Sequence, residues 1–303
     1  MTMPFYVAPE QFMKDKADFA RKNIARGRPL VATVYAGGVL ICSENPSRSL
    51  HKVSEIYDRI AFAGVGKYNE FDQLRVSGVQ HADIKGYQFS REDVDARSLA
   101  NLYARYMGNV FTHEMKPLEV EILVAEVGPR PGEDQIFHIL YDGTVVDEDR
   151  FTALGGEAEA ITGRLARAYR ADWPLAEALT ASVGALRGPE RRLSPHELEV
   201  AVLDRSSGRR AFRRVLEAEV TDLLASERPR RRGTKDAGDQ SGAGELSEVD
   251  DLSEPSDLSG VDDQSGPSDQ SGPSDQSGPS AQWGPSDQSG VDEPPPAGRS
   301  TGR

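Results

Sequence analysis

The chain of 303 residues has a single cysteine, Cys42, so no disulfide can close within it. A lone thiol inside a run that reads as a strand suits a reducing compartment. Long apolar runs are also missing, and none approaches the ~20 residues that span a bilayer. The opening MTMPFYVAPEQFMKDK lacks the charged start, apolar core and small-residue cleavage site of a secretory signal. The expectation is a cytoplasmic protein with no membrane partner. The five histidines, His51, His81, His113, His138 and His196, show no paired spacing with Cys42, and His-Glu-x-x-His does not occur. No metal and no cofactor are therefore expected. A Gly-x-Ser-x-Gly elbow is absent too, which leaves serine-hydrolase chemistry without a visible nucleophile. Gly64-Val65-Gly66-Lys67 resembles the end of a phosphate loop. Ala61, however, stands at the first-glycine position and Tyr68 where Ser or Thr would hold magnesium, so that reading fails.

An excess of basic charge is missing as well. The formal net charge is −13, and it is concentrated at one end: Asp236 to Arg303 holds 15 acidic residues against two arginines. Residues 1–235 are balanced, with 34 of each sign. A neutral body gives no basic face for nucleic acid.

What is present centres on Leu30 to Gly66. Val31, Val34 and Tyr35, then Val39, Leu40 and Ile41, predict two strands joined at Gly37-Gly38, where positive φ suits a two-residue hairpin turn. Asn45-Pro46 marks a loop, a polar segment follows, and Ile60–Val65 reads as a third strand. Upstream, Pro9 can open a helix. Met13, Ala17, Ala20 and Ile24 make its apolar stripe, with Lys14, Lys16, Arg21 and Lys22 expected in solvent and Gly27 and Pro29 as its stop. That stripe fits either packing within the chain or contact with a neighbour.

Helices are predicted over about Asn69–Val79 and Glu92–Glu114, the second ended by Lys116-Pro117. Leu118, Val120, Ile122 and Val124 then alternate as a strand, with Glu119 and Glu121 on its outward face. Phe137–Tyr141, turned by Asp142-Gly143, and Phe151–Leu154 read as further strands. Helices at Ala158–Tyr169 and Pro174–Leu186 precede a last hairpin, Glu197–Asp204 and Arg210–Val215, and a short helix to about Leu224. The order is strands, two helices, strands, two helices, strands. It predicts an α+β fold in which paired sheets lie between helix layers, four layers in all. Beyond Arg228 the composition turns to Gly, Ser, Pro, Asp and Gln, with DQSGPS starting at Asp263, Asp269 and Asp275. Such a segment offers almost nothing to bury and is expected to stay disordered. Trp283 is either a lone anchor or a stray aromatic.

Several segments together resemble the α-subunits of the actinobacterial 20S proteasome. They are the hairpin, the loop Glu44-Asn45-Pro46-Ser47-Arg48-Ser49, the run Lys52 to Ile60, Gly66-Lys67-Tyr68-Asn69-Glu70-Phe71, Lys116-Pro117 with Glu119-Val120-Glu121, and Arg209 to Arg214. The resemblance covers about residues 3–225. It implies the four-layer αββα sandwich of the N-terminal-nucleophile hydrolases. It also implies a gating segment at 1–8, a helix over 9–27, an α-type domain over 28–227 and a tail over 228–303. Catalytic β-subunits of that fold expose a threonine at the head of the first strand, with its own α-amino group as base. Here Gly27-Arg28-Pro29-Leu30 stands at that head, Thr33 lies mid-strand, and Thr2 precedes Pro4 and the helix. No catalytic residue is therefore expected.

By the same resemblance the chain forms a seven-membered ring with itself and stacks on β-subunits. It admits protein substrates and docks a ring-shaped AAA ATPase. Thr2, Met3, Pro4, Phe5, Tyr6, Val7 and Ala8 become the gate candidates, against the plain alternative of a frayed terminus. Lys52 becomes the cation that receives the activator's C-terminal carboxylate, against a solvated loop lysine. Lys116-Pro117 falls where the wider family carries Arg-Pro near the narrow pore ring. A stand-alone amidohydrolase of the same fold, and an adaptor acting through the acidic tail, are the alternative functions.

Overall fold

The computed structural model describes residues 8–226. Helix α1, Pro9–Ile24, opens with Pro9 in its first turn, where the missing N–H breaks no helical bond. It leads into β1, Leu30–Tyr35, and β2, Gly38–Glu44, followed by β3, Val53–Tyr57, and β4, Ile60–Gly66. Two helices come next, α2, Tyr68–Gln88, and α3, Ala96–His113, the latter capped by the Asp95 carboxylate on the Ser98 N–H. Strands β5, Val120–Glu126, β6, Gln135–Ile139, β7, Val145–Asp147, and β8, Phe151–Leu154, precede α4, Ala158–Ala168, and α5, Leu175–Arg187. The described part closes with β9, Leu198–Asp204, β10, Phe212–Val215, and α6, Glu217–Ser226.

The strands form two five-stranded antiparallel sheets, ordered β10-β9-β2-β1-β8 and β3-β4-β5-β6-β7. Period-two alternation sends each strand's residues to two different cores. From β1, Ala32 joins Ile41, Ala61, Ala63, Leu123 and Ala201 between the sheets, while Val31 joins Leu40, Leu165, Leu179 and Trp173 beneath α4 and α5. From β4, Phe62 joins Leu99, Tyr103, Met107 and Ile122 beneath α2 and α3. Small alanines on the facing sides let the two sheets approach closely. The result is the expected helix–sheet–sheet–helix sandwich, and β2 is buried along its whole length because both its faces meet a core.

The structure departs from the sequence expectation in several places. The first hairpin turns at Ala36-Gly37, and Gly38 already pairs with Tyr35 in β2. Gly38 has φ of +145°, and a Cβ there would stand 2.0 Å from the Leu203 carbonyl oxygen, so β9 rather than the turn demands this glycine. Strand β3 lies in the segment read as polar, and β7 was also missed. Helix α2 continues to Gln88. Lys16, expected in solvent, is buried.

Candidate functional site

The head of β1 gathers an unusual density of charge. Gly27 N–H donates to the Ile24 carbonyl as α1 ends, and Arg28-Pro29 connects to Leu30, which is fully buried and paired with Ser43 and Leu154. At the end of β2 the buried Glu44 carboxylate accepts from Arg28 Nη1 at 3.2 Å and from Arg191 Nη2 at 2.9 Å on both oxygens. The loop that follows is folded by its own polar groups. Asn45 Oδ1 accepts from Ser47 N–H at 3.0 Å, an Asx-turn, and Asn45 Nδ2 donates to the Leu50 carbonyl at 2.7 Å. Ser47 Oγ accepts from Leu50 N–H at 3.1 Å.

The loop is then fastened to β9. Glu199, buried and facing Ser43 across the ladder, accepts from the N–H groups of Lys52 at 2.8 Å and Val53 at 3.2 Å, and from Asn45 Nδ2 at 2.7 Å. Arg214 Nη1 donates to it at 2.6 Å, and His51 Nδ1 lies at 3.3 Å. Lys52, half-buried, donates from Nζ to the Arg28 carbonyl at 2.6 Å. Burial pulls its pKa from 10.5 to about 8; Glu199 and Glu44 oppose that shift, and Arg28 adds to it. An ammonium held by one neutral carbonyl, partly out of water, gains by exchanging that carbonyl for a carboxylate.

Thr33 has no exposure, and its Oγ1 lies 3.4 Å from Ser182 Oγ beneath α5. The other candidate residues lie elsewhere. Ala8 is exposed and extended just before Pro9, while Thr2, Met3, Pro4, Phe5, Tyr6 and Val7 fall outside the described residues. Residues 227–303, with the acidic repeats and Trp283, do so as well.

Lys116 closes a compact ion cluster. Its Nζ lies 2.8 Å from Glu70 and 2.6 Å from Glu119, and Lys67 Nζ approaches the same carboxylates at 3.4 and 3.9 Å. Burial alone would raise the Glu70 pKa, but bonds from Lys116 and the Glu119 N–H outweigh it and hold the group below its ordinary range. Glu119 and Glu121 thus do more than face solvent, since Glu121 meets His138 at 3.3 Å.

Lys16 fastens α1 to the body. Its Nζ donates to the carbonyls of Phe111 and Glu114, at the negative end of α3. It also lies 5.2 Å from the Phe12 ring centre and 5.3 Å from that of Phe111.

Sequence reasoning singles out Lys52 as a candidate but not Glu44, Glu199, Arg191 and Arg214, which the structure places around it. The available signal was an acid within an apolar strand, as in Leu198-Glu199-Val200-Ala201-Val202, which implies a buried partner.

The family model described as "Proteasome subunit" matches residues 24–203. A protein of Acidimicrobium ferrooxidans named "Proteasome subunit alpha" is 62% identical over 227 residues, covering 75% of this chain and 98% of the relative. The chain belongs to the proteasome α-subunit family. Relatives of the same name from Sanguibacter keddieii and Saccharomonospora viridis are 57% and 48% identical, over 75% and 80% of this chain and 91% and 97% of their own lengths. The family match takes in Lys52, Glu44 and Glu199, while α1 up to Asn23 and the whole of β10 lie outside it. Charge at the head of β1 is therefore a feature of the shared fold region in this member of the proteasome α-subunit family.

Proposed function

We propose that the chain is a non-catalytic subunit of the outer ring of a 20S proteasome core. In this reading seven copies form a ring that stacks on β-subunits, residues 1–8 gate the axial entrance, and protein substrates pass through it. Lys52 receives the C-terminal carboxylate of a ring-shaped AAA ATPase. Residues 9–27 serve as the anchoring helix, 28–227 as the α-type domain and 228–303 as a tail.

The observation that carries the non-catalytic reading is the head of β1. A threonine nucleophile of this fold uses its own α-amino group as base, which requires a free chain end at the strand. Leu30 instead opens the strand, buried and preceded by Pro29, a linker and α1. The only threonine in β1, Thr33, sits deep in the helix-side core. Assembly is supported by apolar side chains left exposed on α2 (Ile84 and Tyr87, the latter 91% exposed), at its end (Phe89) and on α3 (Tyr106).

The test is co-expression with the host's β-subunit, with and without residues 2–8. A stacked particle that cleaves peptides faster when the segment is deleted supports both the ring and the gate. Equal cleavage by the two particles removes the gate assignment. Failure to co-assemble with a competent β-subunit overturns the ring reading.

A further inference from the structure

We propose that Glu199 is the positioning residue of the docking site: its carboxylate holds the Asn45–Val53 loop so that the Lys52 ammonium is presented to an incoming carboxylate. The inference rests on the reading of Lys52 as the docking cation and adds the group that makes Lys52 competent.

The loop has little else to hold it to the sandwich. Leu50, the one large aliphatic side chain before the loop turns into β3, is 49% exposed, so apolar packing anchors only the loop's end, where Val53 is buried between the sheets. Between Asn45 and Lys52 its tethers are polar, and apart from two backbone bonds (Asn45 N–H to the Glu197 carbonyl, Gly64 N–H to the Lys52 carbonyl) and the Lys52 ammonium on Arg28 they converge on one carboxylate. Glu199 takes the N–H groups of both Lys52 and Val53, the Asn45 amide and the Arg214 guanidinium, with the His51 ring alongside. Arg214 also donates to the Val53 carbonyl, so the same pair fixes both backbone groups where the loop becomes β3. Only a carboxylate can satisfy this set, because its two oxygens accept on about four sides, whereas a carboxamide turns one of them into a donor. Glu199 itself pairs with Ser43 of β2, and from the next residue, Val200, its strand is hydrogen-bonded on both sides, to β2 and to β10, so it is a rigid post.

Charge adds to the geometry. The groups facing the Lys52 ammonium are Glu199 from β9, Glu44 from β2 and Arg28 from the linker. Glu199 is the foremost of those favouring the protonated form, against the burial that disfavours it. Docking needs the ammonium both aimed and charged, and Glu199 contributes to each.

The experiment uses the full particle co-expressed with the host's β-subunit. Its probe is a labelled peptide carrying the C-terminal residues of the host's ring ATPase with a free carboxylate; the C-terminal amide is the control. Affinity is measured across pH for the native chain and for Glu199→Gln, Glu199→Asp and Lys52→Met. Glu199→Gln is expected to weaken the free-carboxylate peptide by about tenfold or more. The pH at which binding fails should also move down, since Lys52 then loses its proton more easily. A loosened fold alone would not produce that pH displacement. Glu199→Asp keeps the charge but shortens the reach, so affinity should fall with the pH midpoint in place. Native affinity and pH profile in Glu199→Gln particles, with Lys52→Met abolishing binding, overturns the positioning role and leaves the docking reading standing. Undiminished binding by Lys52→Met overturns both. Should Glu199→Gln fail to assemble, Glu199→Asp decides: weaker binding at native thermal stability supports the proposal, and native affinity overturns it.

Discussion

At the scale of the residue, Lys52 carries its charge where burial disfavours charge, which ties stability and the proposed docking to pH in opposite directions. Its pKa in the folded chain is pulled to about 8, below the ordinary lysine value of 10.5. Between those values the unfolded chain holds a proton that the folded chain has released, so folding stability rises with pH across that window. Below about pH 8 both states are protonated, and the cost of the buried ammonium is present in full. Lys52→Met should therefore melt higher than the native chain near pH ~7, and its advantage should shrink towards pH ~10. Binding of a carboxylate-terminated peptide should instead be strongest below about pH 8 and fade above it. Thermal melts and peptide titrations at both pH values check this. An advantage of the variant that grows with pH would contradict the account. Cys42 belongs to the same scale but behaves differently: burial pushes its thiol up to about 12, which leaves it an unreactive core side chain.

At the scale of the element, legibility followed how many faces a segment buries and what interrupts it. Helix α1 was readable from Pro9 and its stripe, and β8 from the apolar run that ends at Gly155-Gly156. Helix α2 runs on past its expected end at Val79 to Gln88 and takes in Gly78 and Gly86. Both are packing glycines: a Cβ would meet the Tyr103 hydroxyl at 1.8 Å and the Tyr57 hydroxyl at 2.2 Å. The signal that explains them lies in aromatic residues far along the chain. Strand β3 was hidden because its register shifts between Glu55 and Tyr57, which breaks the alternation, and Glu55 is paired with Arg210 from across the fold. Strand β7 has three residues, too few for a period to show.

Lys16 was misread for a related reason, since a lysine on a helix face defaults to solvent and only α3, about a hundred residues later in sequence, supplies its carbonyls. Replacing it leaves the end of α3 without its donor. Lys16→Met is expected to cost about 1–3 kcal/mol, the range for losing a charged hydrogen bond and its aromatic contacts. Lys14→Met, on the exposed face, should stay within about 0.5 kcal/mol. Denaturant unfolding measures both, and amide exchange in α1 should quicken only in the first. Equal losses in the two variants would mean that Lys16 acts through charge on the helix in general.

At the scale of the whole molecule, the four layers were legible because element order and alternation are global signals that survive errors at single boundaries. The charged site was not, because Lys52, Glu199, Glu44 and Arg191 meet only when β2, β9 and the loop after α5 are brought together. Charge distribution is the other whole-molecule property. Residues 236–303 hold 15 acids against two arginines and so account for the entire net charge of −13. Fields from such a segment are screened within ~8–10 Å at cellular ionic strength, which limits its reach towards any docking cation. The role we assign it is therefore passive: charge that keeps particles soluble, with the proposed docking set by local geometry around Lys52. Removing residues 236–303 should leave co-assembly, peptide affinity and substrate degradation unchanged at physiological salt. The variant should be less soluble near neutral pH, because its remaining charges balance. Gel filtration, peptide titration and degradation of a tagged substrate test this on one preparation. A change in affinity that vanishes at high salt would assign the tail an electrostatic part in docking, and a change that persists would require a contact of another kind.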